Sequence, residues 1–98
     1  NKAKFISSYF HKFPEKEYAH IKSQRISTLI KGNQNHHWSY NKEHVMDVIE
    51  LTVKEHNKLH RYTIYDQERM MYRKVNNGEL IDSREKCLSF ISEIKDLI

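Results

Sequence analysis

Two glycines and one proline are all that interrupt a chain of 98 residues, and this scarcity of backbone punctuation constrains the fold more than any other feature. The long stretches between Pro14, Gly32 and Gly78 have to be read from their apolar spacing, and that spacing is mostly helical. Residues 2–12 lead with Phe5, Ile6, Tyr9 and Phe10 into Phe13, which predicts an amphipathic helix with an aromatic stripe. Pro14 then opens a second helix reaching about residue 20, with Glu15 and Glu17 in a first turn where the helix dipole favours anions. A tight turn at 21–23 leads to a third helix ending at Gly32, a residue suited to a left-handed C-terminal cap. An unbroken helix over 14–31 is the alternative.

Residues 42–60 read as the clearest helix, capped by Ser39 or Asn41 and striped with Val45, Val48, Ile49, Thr52, His56 and Leu59. Its other face carries Glu43, Asp47, Glu50 and Glu55, which assigns it to the scaffold. From Arg61 the period changes. Residues 61–65 and 69–75 are rich in β-formers and are expected to pair across 66–68, Asn76-Asn77-Gly78 is a turn signal, and 79–81 adds a third short strand. A helix over 67–76, with Met70, Met71 and Val75 in the core, is the other reading of that segment. Asp82 and Glu85 form a capping box for a terminal helix over 83–98. Its stripe of Cys87, Leu88, Phe90, Ile91, Ile94, Leu97 and Ile98 either closes the core or makes a two-fold contact. The expected fold is a single domain over 1–98, mainly α with a small β-hairpin, of the α+β class.

Composition narrows the function. No apolar run is long enough to span a bilayer and no charged segment followed by an apolar stretch opens the chain, so neither secretion by that route nor a membrane anchor is expected. The lone Cys87 cannot form an internal disulfide, which fits a reducing cytoplasm. A place on an apolar helix face makes it a buried inert thiol. Trp38 is expected to seal a core edge. The net charge of +4 is unevenly spread: residues 1–42 hold eight Lys/Arg against two acids, and residues 43–98 hold nine against eleven. A polyanion partner for the first half follows.

The stretch 21–38 (IKSQRISTLIKGNQNHHW) contains Lys22, Arg25 and Lys31 and no acid. Ile26, Leu29 and Ile30 make a narrow stripe that leaves Lys22, Ser23, Gln24, Arg25, Thr28 and Lys31 on the other faces. Such side chains donate to phosphates or base edges. Residues 21–32 resemble the recognition-helix segment of helix-turn-helix proteins of phages and plasmids. That resemblance places Lys22 to Arg25 in the major groove, with Ile26, Leu29 and Ile30 packed inward. The hairpin after small helices likewise resembles the wing of winged-helix proteins, and by that resemblance Arg61, Arg69, Arg73 and Lys74 hold the backbone or minor groove.

Seven histidines call for a test of catalysis. His56 and His60 stand four apart, the spacing of two metal ligands on one helix face, and His36, His37, His44 and Cys87 are available as further ligands. No third ligand stands at a diagnostic spacing, no Gly-rich phosphate loop or nucleophile elbow is present, and a nuclease would need a metal cluster of Asp, Glu and His. No catalytic residue, metal ligand or cofactor is therefore assigned. The expectation is a cytoplasmic, non-enzymatic protein that binds duplex DNA as a homodimer, in a larger nucleoprotein complex where it serves one. Sparse Ala and abundant Asn, Lys, Ile and Tyr resemble the usage of low-GC bacteria, their phages or plasmids. Such a protein acts as a repressor or as an accessory factor at a plasmid transfer or replication origin. The reading from another class is a protein-binding module, an immunity protein or a phage inhibitor of a host factor.

Overall fold

The computed structural model describes residues 8–97. Residues 8–12 are helical, and Phe5 and Ile6 of the expected aromatic stripe, like Ile98 at the other end, lie outside the described residues. The elements that follow are α1 (Pro14–Ser23), β1 (Gln34–His37), a 3-10 turn (Lys42–His44), β2 (Val48–Leu51), α2 (Val53–Arg61), β3 (Thr63–Asp66), β4 (Met71–Lys74), β5 (Leu80–Ile81) and α3 (Arg84–Ile94). The class is α+β, with two small antiparallel sheets: β1 with β2, and β3-β4-β5. Among the described residues no helix is long and apolar enough to cross a membrane.

The expected helix ending at Gly32 does not form. Pro14 stands at the start of α1 and Glu15 and Glu17 in its first turn, as the sequence implies, but the helix continues to Ser23 and stops there. In a helix over 22–31, the N–H groups of Leu29 and Ile30 would bond the carbonyls of Arg25 and Ile26. Here both N–H groups donate to the carboxylate of Glu50, and the Ile26 carbonyl accepts from Asn35 Nδ2. The competing partners come from β1 and β2, with Glu50 lying 21 and 20 residues further along the chain, so the local helical pattern loses to a tertiary one.

The helix expected over 42–60 is also divided. Val48–Leu51 is a strand with alternating burial, Ile49 and Leu51 inward, paired to β1 so that His36 stands opposite Ile49 and Asn35 opposite Glu50. Val48, Ile49, Thr52, His56 and Leu59 satisfy a helical stripe on paper, but Ile49 and Leu51 equally satisfy a period of two. Thr52 settles the boundary. Its hydroxyl accepts from Glu55 N (3.1 Å) while Glu55 Oε1 accepts from Thr52 N (2.9 Å), a reciprocal capping box that starts α2 at Val53.

The hairpin of β3 and β4 and the short β5 form as expected, though β3 starts at Thr63 rather than Arg61 and takes in Asp66, and residues 67–76 are not helix. Gly78, at φ +74°, closes the turn between β4 and β5, its N–H donating to the Lys74 carbonyl at 2.9 Å. Met70 takes φ +57° at the end of the β3–β4 turn, where its carbonyl accepts from Tyr40 N (2.8 Å). With the Ser39–Met71 bridge, this bond ties the two sheets together. The cap of α3 is Ser83 rather than Asp82: its side chain accepts from Lys86 N at 3.1 Å, and Asp82 instead pairs with Lys86 Nζ.

Trp38, Ile49, Leu51, Leu59, Tyr72, Ile81, Cys87, Phe90 and Ile94 form one core between the sheets and helices α2 and α3. Burying each of the large side chains among them contributes roughly 1.5–3 kcal/mol. Cys87, Phe90 and Ile94 give the α3 stripe its core role, while Leu88 and Leu97 stay exposed. Cys87 is buried and its thiol pKa is pushed up to about 11 by that burial, so the inert reading of it holds. Trp38 is buried with its indole N–H donating to Asp47 Oδ2 (3.1 Å).

Candidate metal centre

The β1–β2 hairpin and α2 follow one another directly, and α2 packs back across the hairpin. His36, in the middle of β1, therefore faces the helix, where His56 and His60 stand one turn apart. His36 Nδ1 lies 3.2 Å from His56 Nε2, and His60 Nε2 lies 3.0 Å from the same atom. All three side chains offer a ligand nitrogen within 4.8 Å of one another. Two nitrogens bound to one tetrahedral zinc at 2.0–2.1 Å are separated by about 3.3 Å, so the spacing present matches that of a ligand set. His36 is buried, His56 half-buried and His60 exposed, and no fourth His, Cys, Asp or Glu joins the group among the described residues. One side of the cluster is thus open to solvent.

Proton placement follows from the partners. His56 Nδ1 is 2.7 Å from Gln34 Oε1, an acceptor only, so it carries the ring proton and leaves Nε2 as a lone pair. Gln34 lies two residues before His36 on the same face of β1, and it orients a ligand in the way outer-shell partners of metal sites do. Burial, followed by the mutual repulsion of neighbouring imidazoles, holds His36 well below the ordinary imidazole range. His56 is lowered for the same first reason, and His60 is lowered to about 4, with Lys16 adding to the effect of burial and His56. The cluster is neutral at pH 7, the state in which imidazole binds a metal. Three neutral imidazoles suit zinc, copper, nickel or iron better than magnesium or calcium.

Tyr72 forms the floor, its ring 5.6 Å from that of His36 and 5.4 Å from that of His60. Beyond it the ammonium of Lys16 is enclosed by aromatics. It donates to the hydroxyls of Tyr9 (2.8 Å) and Tyr72 (3.4 Å) and lies 4.1 Å from the Tyr65 ring centre. No carboxylate pairs with it among the described residues.

His37 projects from the other face of β1, since side chains alternate along a strand. It lines an open cleft of about 400 Å³ together with Tyr9, Lys16, His20, Asn35 and Tyr40. Its ring stacks on Tyr40 at 5.2 Å. Burial lowers its pKa, against the opposing pull of the Val45 and Ala19 carbonyls. Its Nε2 is buried with no hydrogen-bond partner, and an orphaned polar atom of this kind calls for an explanation. His44 is elsewhere, bonded to Ser39 Oγ (3.0 Å) and packed on Trp38.

The residues expected to meet DNA are dispersed differently. Lys22, Gln24, Arg25 and Lys31 are exposed and Thr28 half-exposed, but they lie on the last turn of α1 and the irregular segment after it, not on one helix face. Ser23 is buried, its hydroxyl donating to the Ala19 carbonyl (2.8 Å). In the hairpin, Arg69 and Arg73 both pair with Asp66, at 3.1 and 2.9 Å, and Lys74 pairs with Glu79 at 2.8 Å. Arg61 is not in the hairpin: it is the last residue of α2, exposed and without an ion pair among the described residues. The metal-ligand spacing of His56 and His60 is visible in the sequence, and His36 stands among the available partners. What brings them together is the β1–β2 pairing, for which the alternating burial of Val48–Leu51 is the one local signal. Comparison with protein families, curated proteins and solved structures finds no match for the chain.

Proposed function

We propose that the chain is a metal-dependent hydrolase of phosphodiester bonds in nucleic acid. The observation that carries this reading is the convergence of His36, His56 and His60 from a strand and a helix, with one side open. Three protein ligands and a free position are the pattern of a catalytic rather than a structural metal site. A divalent cation held there supplies Lewis acidity toward a phosphoryl oxygen and lowers the pKa of water toward 7. The chain's own groups do the rest. Gln34 fixes the ring of His56, and partial desolvation with the mutual repulsion of the rings keeps the three imidazoles unprotonated. His37 follows His36 directly in β1 and lies near enough to contribute to the lowered pKa of both His36 and His56; as substrate enters, its unused Nε2 accepts the proton of the attacking water. The water oxygen joins phosphorus as the phosphorus–sugar-oxygen bond breaks, and the departing sugar oxygen takes a proton from solvent water on the open side of the site, leaving a phosphate monoester and an alcohol. Lys22, Arg25 and Lys31, with Gln24 and Thr28, hold the polyanion beside β1.

The test is cleavage of supercoiled plasmid by the metal-stripped chain, with zinc, nickel, manganese or magnesium restored one at a time. Cleavage that appears with metal and vanishes in His56→Ala supports the proposal. His37→Ala should retain stoichiometric metal but lose about 10²–10⁴-fold in rate. A chain that binds one metal per molecule and cleaves neither DNA nor RNA in any of them would overturn it.

A second reading is favoured by the absence of any acid between Glu17 and Glu43. In it the chain binds duplex DNA without cutting, as a homodimeric winged helix-turn-helix regulator or an accessory factor at a plasmid origin, with the β3–β4 hairpin as the wing. Salt-dependent binding with a preferred sequence, unchanged in His56→Ala and free of cleavage, is the outcome that selects it.

A further inference from the structure

The segment 24–33 lacks regular structure, yet it is held at many points. Glu50, on β2, accepts from Leu29 N (2.6 Å), Ile30 N (3.0 Å) and Asn33 Nδ2 (2.8 Å). Asn35 Nδ2 donates to the Ile26 carbonyl (2.9 Å), and Asn33 N to the Ile30 carbonyl (3.1 Å). Gly32, at φ +94°, supplies the reversal that brings the chain back into β1. These bonds leave two of the loop's three large apolar side chains in water: Leu29 is 95% exposed and Ile30 64%. A free loop would turn such residues inward, whereas this one is tied by its backbone with its tip outward.

The surroundings of that tip indicate its partner. Lys22, Arg25 and Lys31 are exposed within seven residues of Leu29, and no acid lies between Glu17 and Glu43. Among the described residues the one carboxylate that bonds the loop, Glu50, is occupied by three N–H donors. Aliphatic side chains flanked by cations are the equipment with which proteins enter the minor groove, separate neighbouring base pairs and kink the duplex. The loop also ends at Gln34, which holds His56, two residues before His36.

We propose that residues 26–33 form a wedge that inserts Leu29 and Ile30 between base pairs of duplex DNA while Lys22, Arg25 and Lys31 hold the adjoining phosphates. The wedge opens a step beside the three-histidine site. This inference rests on the nucleic-acid reading above, but not on cleavage. Flexible pyrimidine–purine steps are its preferred point of entry, since they unstack at least cost.

The experiment uses the chelator-treated chain, which leaves DNA intact, and duplexes carrying 2-aminopurine at a TA step. Binding is followed by anisotropy across a salt series and unstacking by the fluorescence of the base. Wild-type chain should raise the fluorescence severalfold on binding. The L29A/I30A variant, whose changes lie in solvent and leave the circular dichroism unchanged, should bind with the same salt slope and give no rise. K22A/R25A/K31A should shorten the slope, by about 0.9 for each lost phosphate contact. Equal fluorescence from L29A/I30A, or tight wild-type binding with no rise, overturns the wedge and leaves the hydrolase reading standing. Absence of any duplex binding at low salt overturns the wedge, and if single-stranded DNA and RNA are not bound either, the nucleic-acid reading falls with it. Binding to anionic vesicles that depends on Leu29 and Ile30, without DNA unstacking, assigns the tip to lipid and overturns the wedge.

Discussion

At the scale of single residues, the chain places two kinds of basic side chain next to each other and treats them differently. The imidazoles of His36, His56 and His60 give up their protons on burial, whereas Lys16 keeps company with five aromatic rings and two phenol oxygens. A cation over ring faces gains about 0.5–2 kcal/mol when desolvated. We expect Lys16→Ala to lower unfolding free energy by about 2 kcal/mol in urea titration, from that attraction and the lost packing of its stem. An unchanged midpoint would mean that the cage contributes nothing. The histidines impose a pH dependence of known sign. Free histidine titrates near 6.5 and folded His60 at about 4, so between those values the unfolded chain binds more protons than the folded one. Stability of the metal-free protein is therefore fully present above pH 6.5 and declines as pH falls toward 4. Glu50 extends the decline: the Leu29 N–H, then Asn33, hold its carboxyl below the usual range, and its contribution is lost as pH falls through that lowered value. Urea midpoints measured between pH 7.5 and 4 check the trend, and Glu50→Gln should flatten only its acid end.

At the scale of elements, what decides the fold is which partner each backbone group finds. The strands β3, β4 and β5 are legible in the sequence because their β-formers, the Asn76-Asn77-Gly78 turn and the mutual pairing are all local. Helix α3 is legible for the same reason. Helix α2 and strand β2 merge into one helix on spacing alone, because Val48, Ile49, Thr52 and Leu59 fit a period of 3.6 as well as they fit a strand followed by a helix. The segment 24–33 misleads further: Ile26, Leu29 and Ile30 look like a buried stripe, but Glu50 takes the N–H groups that a helix needs and turns two of the three outward. Within the candidate metal centre, the His56–His60 pair can be read from spacing. The third ligand depends on a strand pairing that sets His36 against a helix 20 residues later. The capping box at Thr52 is the hinge of this arrangement, since it fixes where α2 begins and so the facing of both its histidines. Thr52→Ala should cost about 1 kcal/mol of stability, measured by urea unfolding. It should weaken metal binding as well, whereas Ser83→Ala at the distant cap of α3 should cost a similar amount and leave metal binding alone. Equal metal affinity in the two variants would show that the start of α2 does not govern the site.

At the scale of the whole molecule, a domain of 98 residues has little stability to spare, on the order of 5–10 kcal/mol. A ligand that bridges two of its elements should therefore show in its unfolding. The three histidines join the β1–β2 hairpin to α2, and the unfolded chain does not hold them together, so metal binding favours the folded state by mass action. At free zinc a hundredfold above its dissociation constant the gain is about 2.7 kcal/mol, which for a domain of this size raises Tm by about 10 °C or more. The lowered pKa values add a signature that a surface histidine cluster lacks. Protons compete with the metal only as pH approaches the folded pKa values, and for His60 that is about 4. The zinc-induced rise in Tm should thus persist at pH 5.5, where histidines titrating near 6.5 are mostly protonated and release their metal. Scanning calorimetry with zinc and with chelator, at pH 7.5 and 5.5, measures both the rise and its persistence. His56→Ala removes the central nitrogen of the cluster and should abolish the rise at either pH, while His44→Ala, outside the cluster, should lower Tm without touching the response to zinc. A rise that survives His56→Ala would place the metal elsewhere, and one that collapses at pH 5.5 would mean that the imidazoles are more open to water than their packing against Tyr72 implies.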